Sequence, residues 1–452
     1  MKTTVMRRLP VWVASSVLAL AAHAGSPRID RHDVKFVQKG SFAEITYTLE
    51  DAPAIVTMEI QTNTLANGAG EWVPLDGMHV QTVEGDVNRV VRDLGTKRTI
   101  KWAARTDWPD RLLSDGRIRA ELTAWATNAP PDYLVIGLSA NDDVRFYASS
   151  NYVPQGIASD LYKTKAILMR KIPAAGAIWC MGSPEGESGR VADAEVQHSV
   201  MFTEDYYVGV YELTQAQITN FYTRVTSSWT NYTDSVFRPA EGLTLSNLRG
   251  MSAYTGPTGW PQSGYTNVSS GSVVGTLRAK SGLDGIDLPT DAQWEFACRA
   301  GTTTAFNNGG AATADAYKEV GWYSDNSAQG TSDGKQQTHP VGLKRPNAWG
   351  LFDTHGNVLE LCLDRYSYGE DYLSLFPPDY ALRGISVDPI GHAEGSWITH
   401  PSGAEMQNQT IKRGGYFGAS LADGRSGARG YGSYNYDANY TGCRLWHPAR
   451  FE

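Results

Sequence analysis

Oxygen-bearing residues are concentrated in one short segment of the chain. Within residues 346–364, the sequence places Asp353, Gly356, Asn357 and Glu360 in a run of eight residues between two apolar flanks. Gly and Asn favour turns and positive φ, so this pattern predicts a tight loop. Carboxylate and carbonyl oxygens on a bent backbone are the ligands that Ca²⁺ accepts. The segment therefore suggests a calcium site, and the alternative is an ordinary turn with solvated carboxylates.

The chain has four cysteines, at Cys180, Cys298, Cys362 and Cys443. An even number in an exported protein favours disulfides over metal binding, and free buried thiols are the alternative. No C-x-x-C pair is present, so neither a zinc knot nor a redox dithiol is expected. The nine histidines are dispersed, and no nucleophile elbow, phosphate loop or zinc-protease motif occurs. Motifs alone therefore predict no catalytic residue.

Residues 1–24 have the pattern of a secretory signal peptide. Basic residues precede a short apolar run, and Ala22-His23-Ala24 forms an A-x-A cleavage site. No later segment is apolar enough to span a bilayer, which takes about 20 residues. Cleavage removes three basic and no acidic residues, so the formal charge changes from −8 to −11. We therefore expect an exported protein without a transmembrane segment, and the acidic balance argues against nucleic acid and anionic membranes as partners.

Residues 27–128 form the first predicted domain. Residues 42–49 alternate apolar and polar with period two, as do residues 117–124, and turn signals separate such runs. This pattern predicts a small all-β sandwich of immunoglobulin or fibronectin-III type, with a spacer or adhesion role. Residues 129–170 begin with Ala129-Pro130-Pro131 and predict a linker or bridging segment that contains one strand at 133–138.

Two helices are predicted in the remaining part of the chain. Thr214 and Gln217 form a capping pattern at the start of a helix over 214–222. Thr290 and Gln293 repeat that pattern, and Gly301 is expected to stop the second helix. Residues 223–285 are low in charge and rich in Ser, Thr, Gly and Trp, so they are predicted to be long surface loops.

Six sequence fragments occur in the order typical of a known family. They are residues 172–183, 207–222, 288–302, 339–362, 411–417 and 442–445. Together they resemble the sulfatase-modifying-factor family, whose founding activity is formylglycine generation, over about residues 165–450. The resemblance implies an α+β domain of C-type-lectin-like fold over residues 171–450, with long loops that converge on one face.

The resemblance also implies two calcium sites and one disulfide. The ligands of the first site would be the Asp353 side chain, the Gly356 and Val358 carbonyls and the Glu360 carboxylate. The ligands of the second would be the Asn326 side chain, the Ser327 carbonyl, Asp333 and the Lys335 carbonyl. The family's disulfide would correspond to Cys298–Cys443, whereas the pairing of Cys180 and Cys362 stays open.

The family's oxidase binds copper through two cysteines that follow its Arg-Gly-Gly motif. In this sequence the corresponding positions are Ala419 and Gly424, and no cysteine lies between Cys362 and Cys443. Soft thiolates suit Cu(I), whereas neither Ala nor Gly can bind a metal through its side chain. Copper and formylglycine generation are therefore not expected. A second branch holds iron through histidines of a separate helical bundle, which this sequence lacks.

We therefore expect an exported, calcium-stabilised binding or structural module without catalytic residues. Tyr416, Phe417 and residues 427–443 would contact an unknown protein or glycan, because exposed Tyr, Asn and Ser make adaptable contact surfaces. The alternative is an enzyme of the same family, either a formylglycine-generating oxidase or a non-haem metal oxygenase, that uses other residues.

Overall fold

The structure is a computed structural model. It describes residues 26–65, 68–109, 116–140, 143–223, 227–250, 268–331, 333–366, 384–389, 398–399, 405–406, 409–433, 436 and 438–451. The predicted signal peptide lies outside these residues. None of the described helices is long and apolar enough to cross a membrane.

Two antiparallel sheets form the N-terminal part. The first contains Arg28–Ile29, Lys35–Lys39, Phe42–Glu50, Val83–Gly85 and Lys97–Trp102, and the second contains Ala54–Asn63, Trp72–Pro74, Arg89–Val91 and Ile118–Ala126. Both sheets contribute to one hydrophobic cluster, in which Ile45, Ile100 and Trp102 from the first sheet lie with Val56 and Ile60 from the second. The predicted period-two strands are therefore present, and their assignment to an immunoglobulin or fibronectin-III type stays a prediction.

A five-stranded antiparallel sheet, here called the central sheet, includes the segment predicted to bridge the two domains. In spatial order its strands are Val144–Tyr147, Tyr133–Gly137, Ala166–Ile172, Tyr206–Gly209 and Trp446–Pro448. The predicted strand at 133–138 thus pairs with the later part of the chain. The N-terminal sheets pack against this sheet, because Ile55 belongs to its hydrophobic cluster and the Phe146 amide donates to the Asn88 carbonyl at 2.8 Å.

The other strands form small sheets. A four-stranded sheet, here called the C-terminal sheet, contains in spatial order Gly430–Ser433, Gln409–Arg413, Leu359–Arg365 and Thr441–Gly442. A three-stranded sheet contains Ile178–Met181, His198–Met201 and Ser386–Val387. Two further pairs are Gly321–Trp322 with His355–Gly356, and Ile398–Thr399 with Glu405–Met406.

The α-helices are short, and most begin at a side-chain cap. They span Ala104–Asp107, Leu161–Thr164, Gln215–Thr219, Leu245–Arg249, Val273–Ser281, Asp291–Arg299 and Ala314–Val320, with 3₁₀ turns at Arg31–Asp33, Ser150–Tyr152 and Ser235–Phe237. The capping boxes predicted at Thr214 and Thr290 are both formed. The second helix ends one residue earlier than expected, because Ala300 already has the left-handed conformation with φ 45°.

Two details of the predicted secondary structure were wrong. The first helix has five residues rather than nine. The stretch 223–285, predicted as surface loops, contains the helices Leu245–Arg249 and Val273–Ser281, which bury Leu248 and Leu277. Thr244 and Ser272 cap their N-termini, and a left-handed glycine follows each helix. Short helices with such ends form despite a polar composition, because caps satisfy the backbone groups that a short helix leaves unpaired. Residues 251–267 of this stretch lie outside the described residues.

Candidate functional site

The candidate site lies in the turn after the strand Gln409–Arg413, which the sequence resemblance aligns with the copper-binding segment of the family's oxidase. Gly414 and Gly415 have φ of 89° and 73°, a conformation that side chains rarely adopt, and they turn the chain out of the sheet. The Gly414 carbonyl accepts from the Gly356 amide at 2.7 Å, and the Phe417 amide donates to the Asn357 carbonyl at 3.0 Å. These two hydrogen bonds therefore hold the turn against the loop that contains Gly356 and Asn357.

Tyr317 occupies the space beside Gly424. A Cβ atom at position 424 would lie 2.0 Å from the Tyr317 hydroxyl oxygen and 2.1 Å from its Cζ, so no side chain fits there. The Tyr317 ring is buried between Phe306 and Tyr323, with ring centroids at 4.8 and 4.1 Å. Ala419 is also buried. A thiol at position 424 would require this aromatic stack to move.

A buried histidine lies next to the same turn. The His355 Nδ1–H donates to the Gly424 carbonyl at 2.8 Å, since the Asn307 amide donates to Nε2 at 3.1 Å. Burial lowers the pKa of His355 to about 4, so the ring is neutral at physiological pH. The Cys298 sulfur lies 3.7 Å from Nε2, and burial raises the pKa of this thiol to about 11. This pair is a neutral packing contact rather than an activated nucleophile.

All four cysteines are free thiols in the structure. The predicted disulfide Cys298–Cys443 is not formed, and the two residues belong to different hydrophobic clusters. The Cys298 sulfur contacts the Thr354 carbonyl and the Ser426 hydroxyl, at 3.7 and 3.9 Å. Cys362 is buried and Cys180 is exposed.

Three carboxylates surround Arg444 in the interior. Arg444 binds both oxygens of Glu360 and lies near Glu212 and Asp353. Burial and the neighbouring acids raise the pKa of Glu212 well above its usual range, and burial raises that of Asp353 to about 6. Asp353 accepts the Gly342 amide through Oδ2 at 2.6 Å, whereas its Oδ1 has no hydrogen-bond partner. One guanidinium thus faces three acids, so the cluster favours bound protons.

The first predicted calcium group does not fit this arrangement at Glu360. Both Glu360 oxygens accept from Arg444, and Oε2 also accepts from the Trp294 indole at 2.6 Å. A guanidinium on the carboxylate opposes a second cation there. The Val358 amide donates to Glu212 at 3.1 Å. The Gly356 amide donates to the Gly414 carbonyl, and Asp353 accepts the Gly342 amide. Among the described residues, no group of three or more His, Cys, Asp and Glu side chains is placed to hold a metal ion.

In the second predicted calcium group, Asn326 and Ser327 are buried, whereas Asp333 and Lys335 are exposed. Asn326 accepts the Tyr323 amide at 2.8 Å, and the Ser327 carbonyl accepts from His339 at 2.8 Å. Asp333 is exposed, and its Oδ1 accepts the Lys335 amide at 3.1 Å. A carboxylate has about four acceptor positions, so Asp333 retains capacity for a cation. This group fits calcium better than the first.

A buried ion network supports the turn from behind and was not predicted from the sequence. Arg413 binds Asp291 and donates to Glu295 at 2.9 Å, and Arg429 binds the other oxygen of Asp291 at 2.9 Å. Asp291, which both arginines share, is only 1% exposed. Neither Tyr317 nor Glu212 was singled out, since a tyrosine in a short helix and a glutamate after a strand carry no distinctive signal.

Aromatic side chains form a connected group beyond the turn, here called the aromatic surface: Trp229, Tyr232, Tyr416, Phe417 and Tyr440. Trp229 contacts Phe417 and Tyr232 with ring centroids at 5.6 and 6.1 Å, and Tyr416 stacks on Tyr440 at 4.3 Å. Four of the rings are half-buried and Phe417 is buried. The Tyr416–Phe417 pair predicted to contact a ligand belongs to this group.

Glu241 holds Trp229 in place. Its Oε1 accepts the Ser228 and Trp229 amides at 2.7 and 3.2 Å, and the Trp229 indole donates to the Asn439 carbonyl at 3.2 Å. Glu241 is buried, and burial raises its pKa to about 7. The position of the indole thus depends on a carboxyl group that can titrate near neutral pH.

Comparisons with known proteins agree with the sequence resemblance. Residues 174–448 match the sulfatase-modifying factor enzyme 1-like domain. The chain is 26% identical to a chaperone protein LppX of Paenibacillus barcinonensis over 206 residues, covering 41% of this chain and 71% of that protein. It is 34% identical to a formylglycine-generating enzyme of Streptomyces coelicolor over 116 residues, 24% of this chain and 32% of the enzyme. The mouse formylglycine-generating enzyme is 30% identical over 122 residues, 25% of this chain and 31% of the enzyme. The match thus spans about a third of these enzymes.

Two solved structures are also similar. PvdO from Pseudomonas aeruginosa has a TM-score of 0.43 at 19% identity, covering 62% of this chain and 94% of that chain. Treponema denticola variable protein 1 has a TM-score of 0.41 at 22% identity, covering 62% of this chain and 95% of that chain.

Proposed function

Because the chain belongs to the sulfatase-modifying factor enzyme 1-like family, we propose that it is a member without the copper oxidase site, exported and acting as a binding or structural module. Its ligand, a protein or a glycan, contacts the aromatic surface. Calcium has a structural role at the second predicted group. The N-terminal sheets act as a spacer that is packed against the family domain.

One observation carries the proposal. Tyr317 fills the position at which the second copper-binding cysteine would project, and the first position carries the methyl group of Ala419. A soft metal needs thiolate donors, which these two positions do not supply. The nearby Cys298 is a protonated, buried thiol next to a neutral histidine, which does not replace them.

The aromatic surface supports the binding role. Its rings contact each other, so their ordering cost is small when a ligand binds. Tyr436, in the neighbouring segment, is 58% exposed. Glu241 accepts the Trp229 backbone amide and the Asn439 carbonyl accepts the indole N–H, so both the backbone and the ring of Trp229 are held.

The oxidase is tested with purified protein, Cu(I) and a peptide of the form Cys-x-Pro-x-Arg. We expect no copper uptake and no conversion of the peptide cysteine to formylglycine, as followed by mass spectrometry. Catalytic conversion would overturn the proposal and favour the alternative, an enzyme that uses other residues. An active formylglycine-generating enzyme, assayed in parallel, shows that the peptide and the metal are competent.

The binding role is tested on a glycan array and with extracellular proteins of the source organism, using the full chain. Trp229→Ala and Tyr416→Ala should each abolish binding to any ligand found. Trp72→Ala is the matched control, because Trp72 is a half-buried indole on the N-terminal sheet. Equal loss in the control, or unchanged binding in both test variants, would remove the aromatic surface from the proposal.

Calcium is tested by calorimetric titration and thermal unfolding. We expect saturable binding that raises Tm, because a ligand that binds only the folded state stabilises it. Asp333→Asn should abolish the increase, whereas Asp325→Asn, an exposed neighbour in the same loop, should retain it. An unchanged Tm in the wild type would remove calcium from the proposal.

A further inference from the structure

Lys412 differs from every other buried basic residue in the described part of the chain. Seven arginines are buried, and each forms an ion pair with a carboxylate: Arg238, Arg249, Arg299, Arg413, Arg425, Arg429 and Arg444. Lys412 is only 3% exposed, yet no described carboxylate pairs with it. Its Nζ donates to the Thr441 hydroxyl at 3.2 Å. A buried ammonium without a counter-ion is costly, so its retention points to a function.

The C-terminal sheet curls around this amine. Lys412 lies on an inner strand, but its Nζ reaches Thr441 in one outer strand and lies close to Gly432 in the other. A Cβ atom at Gly432 would be 2.8 Å from Nζ and 3.0 Å from Cε. The glycine therefore leaves the space that the lysine side chain occupies.

Residues without side chains cover the amine on one side. On the outer strand Gly430–Ser433, the residues next to Lys412 are glycines, and both are half-buried. Tyr431 between them is 42% exposed. On the other side, Thr441 follows Tyr440, whose ring belongs to the aromatic surface. The ammonium thus lies next to the chain segment that carries Tyr440.

We propose that the Lys412 ammonium is the anchor of an oxyanion site, which binds a carboxylate, sulfate or phosphate group of a ligand between the two outer strands. The Thr441 hydroxyl turns to donate to the same anion. An anion supplies the counter-ion that the described residues do not provide, so binding gains energy that a solvated surface lysine would not provide. The site is independent of what binds the aromatic surface.

The pH dependence follows from the surroundings of the amine. Burial lowers the pKa of Lys412 to about 8. Among the described side chains, the groups beside it on the neighbouring strands are Leu361, Gly430, Gly432 and Thr441, none of which carries a charge. Binding should therefore be strong at pH 6.5 and weaken as the amine loses its proton above pH 8.

The test uses the full chain and three probes, sodium sulfate, phosphate and acetate, each titrated calorimetrically against chloride at constant ionic strength. We expect one site that prefers one of these probes, which distinguishes a sulfate, phosphate or carboxylate ligand. Lys412→Met should weaken binding at least 10-fold, and Lys335→Met, an exposed control, should not change it.

A second variant tests the site even if Lys412→Met does not fold. Thr441→Val keeps the ammonium and should weaken binding by a smaller factor, while the wild type should lose affinity between pH 7 and pH 9. Absence of saturable binding in the wild type, or equal binding by folded Lys412→Met, would overturn the site. Either result leaves the aromatic surface untouched, because its variants are tested with other ligands.

Discussion

Replacing Asp353 by Asn should make the stability of the protein less dependent on pH between pH 5 and pH 8. Asp353 is buried beside Glu360 and Glu212, and it has a left-handed backbone with φ 54°. Asn tolerates this conformation and keeps a carbonyl oxygen for the Gly342 amide. The substitution therefore removes the ionisation and changes little else.

The magnitude follows from linkage. The folded-state pKa of about 6 lies above the ordinary value of 3.8, so the folded protein binds this proton more tightly than the unfolded chain. The stability that this group contributes is complete below pH 3.8 and is lost as pH rises through 6. Between pH 5 and pH 8 the loss amounts to about 1.4 kcal/mol for an isolated group. The asparagine side chain does not ionise, so the Asp353→Asn variant should not show this loss.

The assay is urea unfolding of wild type and variant at pH 5, 6, 7 and 8. We compare the free energy of unfolding of the variant with that of the wild type at each pH. The difference, variant minus wild type, should increase by about 1 kcal/mol or more from pH 5 to pH 8. Asp284→Asn, at an exposed turn, is the control and should run parallel to the wild type. A constant difference between variant and wild type over this range would refute the reasoning.

Four further substitutions test three other contacts. Gly424→Cys should destabilise by about 1–3 kcal/mol through overpacking against Tyr317, and Tyr317→Ala should relieve part of this in a double-mutant cycle; additive effects would contradict the steric argument. Arg444→Met leaves Glu360 buried and unpaired, so chemical denaturation should show a loss of about 3–5 kcal/mol, and an effect below about 1 kcal/mol would show that the pair is dispensable. The pKa of about 7 at Glu241 predicts a change in tryptophan fluorescence with a midpoint near pH 7 that is absent in Glu241→Gln; persistence of the change in that variant would assign it to another group.

Local signals in the sequence predicted part of the local structure. The capping boxes at Thr214 and Thr290 depend on residues three apart, and the alternating strand at 42–49 depends on neighbours, so both could be predicted. The helix Val273–Ser281 was missed because its cap, Ser272, lies in a stretch whose composition indicates loops.

Long-range contacts could not be predicted in the same way. The sequence shows that positions 419 and 424 lack cysteine, but only the fold brings Tyr317, more than a hundred residues earlier, into the space beside Gly424. Glu360 is a plausible calcium ligand until Arg444 is found on its carboxylate. Such pairings depend on the packing of distant segments, which residue spacing does not encode.

The central sheet has a consequence for anyone who isolates the family domain. Three of its five strands, Tyr133–Gly137, Val144–Tyr147 and Ala166–Ile172, lie before residue 174, where the family match begins. A fragment trimmed to the matched residues would leave the strand Tyr206–Gly209 with unpaired backbone groups along one edge. Such an edge can form hydrogen bonds with the same strand of another copy, so the fragment should aggregate. The central sheet thus extends beyond the residues that the family match covers.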